Sequence, residues 1–178
     1  VEHEIGLETA HEVQRGGVYF AKRDGSMIKR VAGPTMTANG CSLSPDGKVL
    51  YFVETESARL WALDIAAPGQ PKVAPFPSPN GARFVAQCGG RYQRFDSMAV
   101  DAAGNACVAT LMNGGITIIS PDGANIRFLP LPDVMTTNIC FGGPDLGTAY
   151  VTLSASGRLA KLDWRKAVGT VGLRLNDH

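Results

Sequence analysis

An all-β fold of antiparallel blades stacked around an axis, a β-propeller, is what this sequence predicts, on three observations. The first is a unit that occurs three times. It reads Asn39-Gly-Cys-Ser-Leu-Ser-Pro-Asp-Gly-Lys-Val-Leu-Tyr-Phe-Val, Asp96-Ser-Met-Ala-Val-Asp-Ala-Ala-Gly-Asn-Ala-Cys-Val-Ala-Thr and Asn138-Ile-Cys-Phe-Gly-Gly-Pro-Asp-Leu-Gly-Thr-Ala-Tyr-Val-Thr. Each copy opens on a short polar side chain, runs through an apolar stretch to a turn, and leaves on a second β-rich run. The second observation is the spacing, since units of roughly 40–50 residues built from short strands are the mark of propeller blades. The third is the lack of any window with sustained apolar spacing of three and four, so no helix is expected.

The elements follow in order. Residues 1–15 are polar, with Ile5, Leu7 and Val13 as the only apolar anchors, and read as an incoming loop or a partial blade. Val18–Lys22 and Met27–Ala32 read as a hairpin, with Asp24-Gly25 supplying the positive φ of a two-residue turn. In the first repeat, Cys41–Ser44, Val49–Glu54 and Leu60–Ile65 are strands joined by a Ser44-Pro-Asp-Gly47 turn. Residues 66–81 hold five prolines, at 68, 71, 75, 77 and 79. Because proline lacks the ladder donor, this stretch reads as an extended loop or edge. It carries most of the excess length that separates the first repeat from the second, and an insertion there would shape a surface entrance. Gly81–Gln87 follows as an outermost strand. Met98–Asp101, Ala106–Thr110, Gly115–Ser120 and Asn125–Leu129 form the second blade. Ile139–Phe141, Thr148–Leu153 and Gly157–Asp163 form the third, and Val171–Leu175 is one more candidate strand.

Composition narrows the function classes. The chain has 178 residues, 44% of them hydrophobic and 19% charged, enough for one cored domain over 1–178. A net charge of +1 without a dense Lys/Arg cluster gives no long-range attraction to nucleic acid or to an anionic membrane. No apolar run approaches the roughly 20 residues a spanning helix needs, and Val-Glu-His-Glu-Ile lacks the basic flank and apolar stretch by which a signal peptide is read. The four cysteines, at 41, 88, 107 and 140, form no Cys-x-x-Cys pair. Cys41 and Cys140 hold the same place in their repeats and read as small buried thiols on the same side of the strand as the polar opener. A reducing, cytoplasmic setting is expected from the absence of a disulfide framework.

Alignment of the repeats makes Asn39, Asp96 and Asn138 equivalent, which places three oxygen-bearing side chains on one ring. Asn39-Gly40 alone is a strong turn dipeptide. Asp96 alone is a loop cap before a strand. Asp46, Asp122 and Asp145 lie in Pro-Asp turns and are expected there for turn reasons. Asn80-Gly81 reads as another turn, and Glu2, Glu4 and Glu8 as a solvated face. Tyr92 and Arg94, just ahead of Asp96, are loop residues within reach of a substrate pocket.

Residues 16–175 resemble the regucalcin/gluconolactonase family of six-bladed propellers. The resemblance is carried by Gly16-Gly-Val-Tyr, Asn39-Gly-Cys-Ser-Leu-Ser-Pro-Asp-Gly-Lys, Phe95-Asp-Ser-Met-Ala-Val-Asp-Ala-Ala-Gly-Asn and Thr137-Asn-Ile-Cys-Phe-Gly-Gly-Pro-Asp. It implies four-stranded blades, about four of which fit this chain at about 45 residues each, so that the chain is expected to lack the first blades and to end near a natural terminus. It also implies a metal-dependent hydrolase of lactones or related esters, with the metal at the central channel. Asn39 matches the family's Asn-Gly ligand and Asp96 its Asp ligand, the latter also the candidate catalytic residue. Asn138, Tyr92 and Arg94 become candidates for the substrate pocket. The family's first-blade Glu and an earlier Asn have no match here. Oxygen ligands favour Ca2+, with Mg2+, Mn2+ or Zn2+ as substitutes, and none of the three histidines falls in a repeat. The implied partner is a small lactone or ester. Two further readings stand beside it: a non-catalytic propeller used as a binding or scaffold module, and self-association through open sheet edges.

Overall fold

The computed structural model describes residues 15–173. Fourteen strands and one short helix make up this part of the chain. Strands β1 (Arg15–Ala21) and β2 (Ile28–Met36) form a two-stranded sheet. Strands β3 (Ala38–Leu43), β4 (Val49–Glu54) and β5 (Arg59–Ala67) form the next sheet. Its outer position is shared by β6 (Gln70–Lys72) and β7 (Arg83–Gln87), which pair with opposite ends of β5. Strands β8 (Arg94–Val100), β9 (Ala106–Leu111), β10 (Gly115–Ile119) and β11 (Ile126–Pro130) form a four-stranded sheet. Strands β12 (Thr136–Gly142), β13 (Thr148–Leu153) and β14 (Arg158–Asp163) form a three-stranded one. All pairings are antiparallel.

The strand expectations hold in kind for all three repeats. The proline-rich stretch is not wholly loop, because Gln70–Lys72 keeps an edge pairing with β5 before the chain leaves the sheet. Ala74 and Gly81 then close the excursion with a backbone hydrogen bond of 2.8 Å. The first hairpin turns through more than two residues. Gly25 N–H donates to Lys22 O and Lys22 N–H to Met27 O, so only Gly25 needs the left-handed conformation (φ 72°), and Asp24 Oδ1 accepts from Ser26 instead.

Sheets pack face to face, with their first strands side by side: β8 touches β3 on one flank and β12 on the other. Every residue of β9 and β10 is buried, because their sheet has a neighbour on both faces. Tyr51, Val53, Leu60, Phe95 and Val108 fill one interface. Cys107, Ala109, Ile116, Ile139 and Val151 fill the other. Val18, Ala32, Phe52, Trp61 and Leu63 join the β1–β2 sheet to the second sheet. Radial stacking of blades is the result.

The expectation of no helix is corrected by α1 (Trp164–Val168). Its five residues are too few to show a period. Its ends are set by Asp163, whose side chain accepts from Lys166 N–H, and by Gly169 in the left-handed conformation. The helix exists to seat Trp164, which is wholly buried against Phe141 at a centroid distance of 5.3 Å. Trp164→Ala is expected to cost about 3–5 kcal/mol in urea unfolding, and Trp164→Phe distinctly less, since the indole N–H has no partner among the described residues. The tail is a single bridge, Asp101 to Gly172, where a strand was expected; residues 174 and 175, and the leader with Glu2, Glu4 and Glu8, lie outside the described residues.

The thiols also need correction. All four cysteines are free; Cys107 is buried, Cys88 half-buried, and Cys41 and Cys140 exposed. Burial pushes the Cys107 thiol well above its ordinary pKa.

Candidate metal and substrate site

Each inner strand breaks its ladder once, near the polar opener. In β3 the break lies between Ala38 and Cys41, in β8 between Phe95 and Met98, and in β12 between Thr136 and Asn138. Such bulges re-aim side chains at the ends of strands. Asn39 and Asp96 both sit inside their bulge. In β12 the bulged residue is Thr137, so Asn138 has already rejoined the ladder opposite Thr152. The third polar opener is therefore one step out of register with the other two. Cys140 and Asn138 alternate with buried Ile139, which places them on the opposite face of the sheet from the core. Cys41 and Cys140 likewise do not share a side.

Asn39-Gly40 is not a turn. Gly40 lies within β3 with no positive φ, and its role is close approach. A Cβ there would lie 2.5 Å from Met98 N, 2.8 Å from Ser97 C and 2.9 Å from Asp96 O. The glycine lets the β3 backbone press against β8 at Asp96. That contact brings the Asn39 and Asp96 positions near each other, and the Asn39 side chain opposes the rise that burial gives the Asp96 pKa. Asn39 Nδ2 donates to Thr55 Oγ1 at 3.3 Å. Burial is the larger influence on Asp96 and raises its pKa; Asn39, the Ser97 N–H and, least, Arg94 oppose that rise.

Arg94 is half-buried and forms an ion pair with Glu56 on the β4–β5 turn, while its Nε is buried without a partner among the described residues. Tyr92 is 72% exposed on the segment leading to β8. The Asn138 amide oxygen accepts from Ile139 N–H at 2.8 Å, a purely local bond. Thr55 and Glu56 were not singled out from the sequence, because a Thr-Glu-Ser turn carries no pattern that points at the neighbouring sheet. Buried Glu54 is committed elsewhere, accepting from Met36 N–H and Ser57 Oγ at 2.7 Å each.

The turn acids behave as expected. Asp46 accepts from Ser44 Oγ and Lys48 N–H, Asp122 from Ser120 Oγ and Ala124 N–H, and Asp145 from Gly147 N–H. These bonds lower all three carboxyls. Asn80 Oδ1 caps its turn by accepting from Ala82 N–H.

Residues 4–155 match the family model described as SMP-30/Gluconolactonase/LRE-like region. The chain belongs to this family. It is 31% identical over 170 residues to a 6-deoxy-6-sulfogluconolactonase of Pseudomonas putida, covering 86% of this chain and 54% of that protein. It is also 31% identical over 156 residues to a regucalcin of Xenopus laevis, covering 87% of this chain and 49% of that one. Among solved structures, a calcium-binding regucalcin of Agrobacterium tumefaciens matches with a TM-score of 0.72 at 24% identity, over 92% of this chain and 56% of that chain. That likeness shows the propeller fold. The chain spans about half the length of the curated relatives it matches.

A hard cation suits the chemistry of the pair, one carboxylate and one amide carbonyl. In number the pair falls short, since calcium takes about six to eight oxygens. Among the described residues no cluster of three or more His, Cys, Asp or Glu could hold a metal ion.

Proposed function

We propose that this chain contributes to a propeller that hydrolyses a small lactone or ester with the help of a divalent cation, calcium first, held in part by Asn39 and Asp96. The observation that supports it is the bulge-and-glycine contact that brings these two positions near each other, in a family whose relatives are named lactonases and regucalcins. The remaining oxygens come from water, substrate, or the part of the relatives that this chain does not span.

Held in part by Asn39 and Asp96, a divalent cation would supply Lewis-acid polarisation of the lactone carbonyl. Asp96 does the proton work. Placed beside the reacting carbonyl, its carboxylate takes a proton from the attacking water. The C–O bond of the lactone breaks as the new acid forms, and the alcohol oxygen that departs recovers the proton. Asn39 would offer its amide oxygen to that cation. Arg94, fixed by Glu56, marks the flank on which polar groups of the substrate lie, with Tyr92 beyond it. A cytoplasmic setting fits a chain with four free thiols.

Hydrolysis of glucono-1,5-lactone, followed with a pH indicator, tests the reading. The rate is expected to require added calcium and to fall about tenfold or more in Asn39→Ala, the scale of losing one charge-assisted contact. Equal rates in calcium and in excess chelator would sink metal dependence; no rate at all with calcium present would favour the binding-module alternative.

A further inference from the structure

Away from Asn39 and Asp96, the proline-rich excursion roofs an open groove of 580 Å3 on the outer part of the second sheet. A volume of this order suits a small molecule. Its floor is Trp61 and Phe84, packed edge to face at 5.6 Å, and its walls include Pro75, Pro77 and Pro79. A smaller hollow of 210 Å3 adjoins it across Val73 and Pro79, with Asn80 and Arg30 in its lining.

Charge gives this seam a chemical preference. Lys72, Arg83 and Arg30 line the two hollows against a single acid, Asp64, which lies across the ladder from Lys72. Neither Arg30 nor Arg83 forms an ion pair among the described residues. Surplus positive charge around an aromatic floor describes the complement of an acidic, largely apolar molecule.

We propose that the groove under the proline-rich excursion is a second ligand site, which takes a small molecule with an aromatic or branched apolar body and a carboxylate or sulfonate head. The body lies on Trp61 and Phe84 between the prolines. The head faces Arg83 and Lys72. The site is separate from the proposed lactonase chemistry and does not depend on it.

The probe is 8-anilinonaphthalene-1-sulfonate, with uncharged N-phenyl-1-naphthylamine as control, titrated against the intact chain by fluorescence and calorimetry. The two tryptophans make the readout local, because Trp164 is buried in a different interface. Saturable one-to-one binding of the sulfonate is expected, with quenching that persists in Trp164→Phe and is lost in Trp61→Phe. The exposed pair Lys72→Gln and Arg83→Gln is expected to weaken the sulfonate about tenfold while leaving the neutral dye unchanged, the scale of lost charge-assisted hydrogen bonds. Equal affinity for both dyes, indifference to the Lys72/Arg83 change, or quenching that survives Trp61→Phe overturns the proposal. So does a concentration-dependent doubling of mass that blocks the dye, which would make a second copy of the chain the occupant.

Discussion

Asp96→Asn is expected to lower lactone hydrolysis by about 10^2–10^4-fold, the usual contribution of a positioned proton-transfer group, and at the same time to make the protein more heat-stable at neutral pH. The two effects have one cause. Burial raises the Asp96 pKa in the folded chain above its unfolded value. The native state therefore holds the Asp96 proton more tightly than the unfolded state does. Stability from this group is fully present below the unfolded pKa and is lost as pH rises through the raised folded one. At pH 7 the ionised, desolvated carboxylate is a net cost, which the neutral amide removes. Thermal melts of wild type and Asp96→Asn should separate at pH 7, with the variant higher, and converge near pH 3. Calcium should raise the melting temperature of the wild type and leave the variant unmoved. A variant that melts below wild type at pH 7 would show that Asp96 holds the fold together and is not kept for chemistry.

The second large effect is placed at a residue with no polar atoms in its side chain. Gly40→Ala drives a methyl into the β8 backbone at Met98 N, Ser97 C and Asp96 O. Backbone atoms cannot swing aside as a flexible side chain would, so β3 and β8 must separate. Overpacking of this kind costs about 1–3 kcal/mol or more. In a chain of this length each kcal/mol moves the melting temperature by roughly 2–4 °C. Gly40→Ala is expected to lose hydrolysis and calcium binding along with stability, because Asn39 no longer reaches Asp96. Gly25→Ala serves as the contrasting control: Gly25 carries a positive φ but no atom crowds its Cβ position, so strain there should cost stability and leave calcium binding intact.

Much of the architecture was legible because the repeat constrains it from several sides at once. Ser44-Pro-Asp-Gly47 and Ser120-Pro-Asp-Gly123 have the same hydrogen bonds to the same carboxylate oxygen, and the turn chemistry alone predicts both. Aligning the polar openers also made Asn39 and Asp96 equivalent, and both lie at the bulge of their strand. What escaped the sequence has a physical reason in each case. A period of two cannot register a bulge, and a bulge one residue early in β12 moved Asn138 and Cys140 to the other face. Cys41 looked like a core thiol because it shares its side of the strand with the polar opener; it is exposed on a face where the described residues give it little cover. The outer position beside β5 was legible only as one strand after a loop, because prolines mark where pairing is lost and not where it resumes. The Arg94–Glu56 ion pair joins two sheets through residues 38 positions apart, and no local pattern announces such a contact. Gly40 looked like turn chemistry because Asn-Gly usually is; the need for it comes from a neighbouring backbone that only the folded chain supplies.

The measurement that bears most directly on the central claim is anomalous diffraction from crystals equilibrated with calcium. A peak is expected within about 2.3–2.6 Å of an Asp96 carboxylate oxygen and of Asn39 Oδ1, with the amide turned from Thr55 to face the ion. A calcium peak that touches neither residue, or a saturating calcium concentration that leaves Asn39 Nδ2 on Thr55 Oγ1, would contradict it.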